Sequence, residues 1–210
     1  MCRDRTISPW ILGEMKPDKV RRRLGKAVGS GRVMQVVRDA FDSEGTEGYV
    51  LALTDEWVAM HVLSDGVHLD GVVLMRLRDI SSARDGHSDY VDRALASLGT
   101  RSAVFTCSAQ ATARDLVVIA AGLHPLSAFA LGDEGVEQLM IGRLLKAGKR
   151  RVSHQFIQTD GTWADEVDKW KYDQIASIHI GGRYIDALST FGDPYPDDAA
   201  STRLPACPPG

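Results

Sequence analysis

Much of this chain is written twice, and that repeat limits what it can fold into more than any other feature. Glu44-Gly45-Thr46-Glu47 returns as Glu134-Gly135-Val136-Glu137, ninety positions on. Asp65-Gly66 returns as Asp160-Gly161 and Ile80 as Ile175, both at a spacing of ninety-five. Tyr90-Val91-Asp92 followed by Ala94-Leu95 returns as Tyr184-Ile185-Asp186-Ala187-Leu188, and Gly99 as Gly192. A repeat of this kind implies two similar small units in tandem, each burying a modest core and helped by packing on the other. The full length of 210 residues suits two small domains or one large one.

The repeat divides the chain into an N-terminal extension (1–15), a first unit (16–99), a linker (100–110), a second unit (111–192) and a tail (193–210). Met15 and Met34 are alternative candidate translation starts, so the extension carries no weight in the fold. Five of the eight prolines fall in the tail, which reads as disordered. Each unit opens with a helical pattern. Val20, Leu24, Ala27 and Val28 make one apolar face from Asp18 up to Gly29, and Ala111 to Gly122 repeats the arrangement. The apolar stretches that follow, Val33–Phe41 and Leu126–Leu131, are expected to be strands, although the spacing in the first also fits a helix.

Short strands come next: Tyr49–Leu53, Trp57–Leu63, Val72–Arg78 and Ile80–Arg84 in the first unit. The second offers Leu139–Leu145, Val152–Gln158, Val167–Tyr172 and Ile175–Ile180. Asp65-Gly66 and Asp160-Gly161 are hairpin signals, because Asp-Gly tolerates the positive φ of a type I′ turn. A two-residue loop at the first would set His61 opposite Asp70 and Val62 opposite Leu69. Each run ends in a short amphipathic helix starting at Tyr90 or Tyr184, with Leu95 and Leu98, or Leu188 and Phe191, on its inner side. The two tyrosines are expected to staple these helices through their hydroxyls. Short antiparallel strands expose edges unless the sheet bends and closes. The expected fold class is therefore mainly β with flanking helices (α+β), as two tandem, small, strongly bent antiparallel β-barrels.

Composition excludes little. With 44% hydrophobic and 25% charged residues and a net charge of -3, the chain resembles an ordinary soluble protein with no global field for nucleic acid. The longest apolar run, Leu116 to Leu123, is too short to span a bilayer, so no membrane is expected as a partner. The first residues lack the apolar core and cleavage site of a secretory signal. Cys2, Cys107 and Cys207 form no C-x-x-C pair, which suits a reducing cytoplasm.

Neither copy contains a catalytic signature, and no cofactor is expected. Asp65, His68 and Asp70, with His61 across the hairpin, have metal-like spacing. However, Asp65 belongs to the turn, and a cross-strand ion pair accounts for His61 and Asp70. Asp160, Asp165, Glu166 and Asp168, with His154 upstream, form a second polar cluster, as expected for a solvated turn. A metal-dependent or hydrolytic reading stands only on these two clusters. Trp57, Trp163 and Trp170 read as core or rim residues, and Cys107 as a partly buried structural cysteine. The clearest charge pattern is basic. Arg21, Arg22, Arg23 and Lys26 crowd the first helix, Arg76 and Arg78 share a strand face, and Lys149, Arg150 and Arg151 mark a loop in the second unit. Such groups can neutralise phosphates, but the aromatic platform of a single-strand binder is missing.

A helix followed by short bent strands joined by tight Asp-Gly turns resembles the Sm-like and related small β-barrels, over roughly 48–84 and 139–180. Sm-like proteins assemble into rings and bind RNA. Their RNA-contacting signature, a loop Asp-x-x-x-Asn and a later Arg-Gly, is not matched. Leu63-Ser64-Asp65-Gly66 lacks the asparagine, and Gly182-Arg183 reverses the order, so the resemblance transfers neither the RNA-binding residues nor the ring. The expected role is non-enzymatic binding of another macromolecule, a protein, through a barrel face, a strand edge or the groove between units. The alternative is a nucleic-acid-binding module using the basic helix 16–32 and the 146–151 loop.

Overall fold

Proline at the first helical position and apolar residues four and three apart start the described chain as helix α1 (Pro17–Ala27), which buries Val20, Leu24 and Ala27. The computed structural model describes residues 16–86, 88–133 and 136–196. After α1 come strands β1 (Val33–Arg38), β2 (Asp42–Leu53), β3 (Trp57–Ser64) and β4 (His68–Arg76). A 3-10 turn (Leu77–Asp79), β5 (Ser82–Asp85) and helix α2 (Ser88–Leu98) complete this half. The same succession then runs again. Helix α3 (Ala113–Leu123) leads into β6 (Ser127–Asp133), β7 (Val136–Ala147), β8 (Arg151–Ile157) and β9 (Trp163–Lys171). A second 3-10 turn (Tyr172–Gln174), β10 (Ile175–Ile180) and helix α4 (Arg183–Phe191) close it. Helix α3 begins on a capping box, in which Thr112 Oγ1 accepts from the Asp115 amide while Asp115 Oδ2 accepts from the Thr112 amide.

The protein is mainly β, with the strands in one antiparallel sheet ordered β5-β1-β2-β3-β4-β10-β6-β7-β8-β9. Among the described residues the ladder does not close on itself in either half. Instead β10, the last strand of the second half, lies beside β4 of the first, with Val72 opposite Ile180, Val73 opposite His179, Leu74 opposite Ile178 and Met75 opposite Ser177. This seam makes the two halves one sheet.

The registers show which residues correspond. Gly48↔Val62 is repeated as Gly142↔Phe156, Trp57↔Arg76 as Arg151↔Lys171, and Met34↔Asp85 as Ser127↔Ile180. Gly48 and Gly142 are matched for a steric reason. A Cβ on Gly48 would lie 2.2 Å from the His61 carbonyl oxygen, and one on Gly142 would lie 1.9 Å from that of Gln155. The neighbouring strand passes too close for any side chain at either point.

Several sequence expectations change in detail. Val33–Phe41 is a strand that stops at Arg38, and Phe41 lies in the following turn. The Asp65-Gly66 turn has positive φ at both residues, 50° and 75°. However, Ser64 pairs with His68 and a register shift follows, so His61 faces Val72 rather than Asp70, and Leu63 rather than Val62 faces Leu69. The strand expected over Val72–Arg78 ends at Arg76, which turns inward to bind Asp79 Oδ2 at 2.6 Å. Leu95 and Leu188 are buried as expected, but Leu98 and Phe191 at the helix ends are exposed. Tyr90 and Tyr184 also face outward. The staple on α2 is made from the sheet side, where the Tyr49 hydroxyl donates to Asp92 Oδ1 at 2.8 Å and burial with that carboxylate pushes the phenol up to about 12. Residues 193–195, assigned to the tail by sequence, pack on the sheet. Trp163 Nε1 donates to the Asp193 carbonyl, and the Tyr195 hydroxyl donates to Gln155 Oε1. The extension 1–15 and tail residues 197–210 lie outside the described residues.

The largest core lies across the seam. Trp57, Ala59, Val72 and Leu74 of the first half pack with Leu116, Phe129, Ile175, Ile178 and Ile180 of the second. Each such side chain contributes about 1.5–3 kcal/mol on leaving water, so the two halves stabilise each other. A second core lies under α1 around Leu24, Met60 and Met75. Smaller ones sit under α2 and α4.

Candidate functional site

An open sheet has two ends, and these ends are where this fold leaves backbone groups for another molecule. The seam shows how such ends meet here. At its rim, Asp70 Oδ1 accepts from the Arg183 amide at 2.7 Å and so caps α4. The Arg183 guanidinium donates to Ser64 Oγ at 2.7 Å and Asp65 Oδ2 at 2.9 Å. Gly71, at φ +71°, comes so close that a Cβ there would lie 2.8 Å from the Gly181 carbonyl oxygen. At the opposite rim Arg76 Nη1 donates to the Asp173 carbonyl at 2.8 Å.

The outer strands β5 and β9 are the counterparts of β10 and β4, and among the described residues each has a neighbouring strand on one side only. On β5 the Gly86 amide donates to Val33 at 2.9 Å, so by antiparallel alternation Arg84 also turns its backbone to β1. Ala83 and Asp85 then turn theirs outward. Arg23 Nη1 donates to the Ala83 carbonyl at 2.9 Å and so occupies part of this edge. Arg84 donates to Gln35 Oε1, and Asp85 pairs with Arg32. On β9, Val167 and Lys169 are exposed and Asp168 is half-buried.

The basic candidates divide by environment. Arg21 is tied to the β2–β3 turn through the Thr54 and Asp55 carbonyls and the Asp55 carboxylate at 3.0 Å. Arg23 is engaged on β5. Arg22 and Lys26 are exposed on α1, and Lys149, Arg150 and Arg151 are exposed at the β7–β8 turn. The two groups thus sit on separate elements in opposite halves.

The metal-like spacing around His68 serves the fold. Asp65 and Asp70 both contact Arg183, and His61 Nδ1 accepts from the Ala103 amide at 2.8 Å. Burial lowers the His61 pKa, partly opposed by the Asp70 charge. Among the described residues no three His, Cys, Asp or Glu side chains converge on a metal-sized site. In the second cluster Asp160 Oδ1 accepts from the Thr162 amide and hydroxyl, which lowers its pKa. His154 stands opposite Asp168 in the β8–β9 register, but its ring turns into the core. It is fully buried against Phe129 and Trp170, with no hydrogen bond to either ring nitrogen. Burial pushes its pKa down to about 4, opposed more weakly by the nearby Ser127 and Gly142 backbone. Cys107 is half-buried with its thiol pKa pushed up by burial, which disfavours the reactive thiolate.

Two grooves follow the repeat. One of about 660 Å³ lies between Arg143, Trp163, Leu188 and residues 192–195. The other, about 550 Å³, lies between Tyr49, Leu95 and residues 99–102. Both are walled by the chain leaving the last helix of each half. Sequence reasoning missed Arg183, Gly71 and the β5 and β9 edges. Pairing between strands about a hundred residues apart leaves no local periodicity to read. No helix among the described residues is long and apolar enough to cross a membrane. Comparison with protein-family models, with curated proteins and with solved structures returned no match.

Proposed function

We propose that this protein is a non-enzymatic binding module, working in the cytoplasm, whose two halves are tandem small bent β-units of Sm-like type. It engages another protein by accepting a strand on an open sheet edge. The observation that supports this reading is the seam. Inside the chain β4 and β10 already join two like units edge to edge, and β5 and β9 offer the corresponding edges outward. The test is site-directed photo-cross-linking in nuclease-treated extract, with a photoreactive residue at Asp85, at Lys169 or at Arg22. Strand addition predicts polypeptide adducts from Asp85 and Lys169, lost when Ala83→Pro or Val167→Pro removes an outward amide donor. Adducts from Arg22 alone would contradict it.

The exposure of Arg22, Lys26, Lys149, Arg150 and Arg151 favours a second reading, nucleic-acid binding by the 16–32 helix and the 146–151 loop. That reading predicts affinity falling steeply with salt and lost when these five residues become Ala. It gives no role to the strand edges.

A further inference from the structure

We propose that the end of the second half, where β7 turns into β8, binds a small molecule carrying several adjacent phosphate groups. The observation behind it is a cleft built twice with opposite charge. In the first half Glu56, Trp57, Arg76 and Arg78 line a cleft of about 420 Å³. Their counterparts Arg150, Arg151, Lys171 and Asp173 line one of about 460 Å³ in the second half. The first cleft neutralises itself. Asp55 pairs with Arg21, and Arg76 Nε donates to Asp79 Oδ2 at 2.6 Å. In the second, Lys149 stands where Asp55 does, and Gln174 stands where Asp79 does. Gln174 carries no charge, and its Oε1 accepts from the Lys171 amide at 2.9 Å. Lys149, Arg150, Arg151 and Lys171 are all exposed, and among the described residues none of them has a carboxylate partner.

Arg151 and Lys171 stand directly opposite each other in the β8–β9 ladder, and like charges so placed weaken a sheet. An anion between them turns that repulsion into attraction, because each cation then has a negative neighbour. The cleft is held in shape without a ligand. The Tyr172 hydroxyl donates to the Gly148 carbonyl at 2.9 Å, and the Gly148 amide donates to the Arg151 carbonyl at 2.9 Å. These bonds tie the turn to the strand ends. The volume is that of a small-molecule site, and the planar forks of two arginines suit phosphate oxygens. Four cations facing the single acid Asp173 match a chain of phosphates better than one phosphate. The cleft lies at the ends of β8 and β9, so this site is independent of the strand-addition reading. It needs neither α1 nor an aromatic face for bases, which separates it from the nucleic-acid reading.

The experiment is isothermal titration calorimetry of the full chain at low and high salt. The probes are inorganic triphosphate, orthophosphate, adenosine triphosphate and a short single-stranded oligonucleotide without terminal phosphates. The expected result is one triphosphate per chain, weakened by salt and bound about tenfold or more tightly than orthophosphate. Arg151→Gln, Lys171→Gln and Gln174→Glu, the last restoring the acid of the first half, should each raise the dissociation constant about tenfold. Arg93→Gln, on the exposed side of α2, should leave it unchanged, and circular dichroism confirms that each variant is folded. Adenosine triphosphate distinguishes the source of the phosphates. Equal affinity means that the phosphate chain alone is recognised, higher affinity means a nucleotide, and either supports the proposal. Absence of saturable triphosphate binding at low salt overturns it. So does an affinity indifferent to the three cleft variants, or an oligonucleotide that binds more tightly than triphosphate.

Discussion

The internal seam and the outer edges are built on the same backbone plan but carry opposite side-chain chemistry. At the seam Val72 and Leu74 meet Ile180 and Ile178, and all four are buried in the largest core. At the matching outer positions stand Val167 and Lys169 on β9 and Asp85 and Ala83 on β5. Trp57 and Ala59, which extend the apolar patch on β3, have Arg151 and Ser153 as counterparts on β8. An apolar seam is permanent, because separating it would return a core to water. A charged edge stays in water alone and pairs reversibly when a complementary edge arrives. Side-chain choice at matching backbone positions thus separates the edges buried inside the protein from the edges left in water.

Importing the outer chemistry into the seam should break this contrast most severely. Leu74→Lys places the residue found at 169 into a position only 1% exposed. It should cost about 4 kcal/mol or more in chemical denaturation, from lost packing and a buried charge. The reverse change, Lys169→Leu, should leave stability within about 0.5 kcal/mol while promoting association.

The two cores should also differ in their response to acid. His154 occupies the place that Met60 holds in the first half, and both are fully buried. Its folded pKa, pushed down to about 4, lies below the ordinary histidine value of 6.5. The unfolded chain therefore binds a proton that the folded chain refuses. The stability from His154 is complete above pH 6.5 and falls as the pH drops toward 4, by about 3 kcal/mol in all. His154→Met should flatten that part of the stability–pH curve, as measured by urea denaturation across the range.

Gly71→Ala tests the close approach at the seam. A positive φ and a Cβ at 2.8 Å from a carbonyl oxygen should together cost about 2–3 kcal/mol. Its exposed outer counterpart, Glu166, should tolerate Ala within about 0.5 kcal/mol. The smallest effect is expected from Arg183→Ala. The side chain is solvent-exposed, so loss of its contacts to Asp65 and Ser64 should lower the melting midpoint by only about 2 °C.

The hairpin at Asp65-Gly66 and the span of β10 were legible because each depends on local chemistry: positive φ, an apolar run. The full length of β2 was not, because Glu44, Thr46 and Glu47 do not read as strand. The paired glycines at 48 and 142 were a signal, but they align at a different spacing from the motifs that reveal the repeat. Arg183 looked like the reversed half of an RNA signature. In the fold it caps the seam, where its partners lie more than a hundred residues away. The acidic group at Asp165, Glu166 and Asp168 read as a solvated turn. Its continuation along an outer strand could be recognised only once the sheet order was known.

Hydrogen–deuterium exchange with and without the polypeptide that cross-links at Asp85 or Lys169 tests the central claim most directly. The account predicts that amides in β4 and β10 are protected in both states, whereas those in β5 or β9 gain protection when the partner is added. Exchange in β5 and β9 that ignores the partner, or protection appearing instead on α1 and residues 146–151, would contradict it.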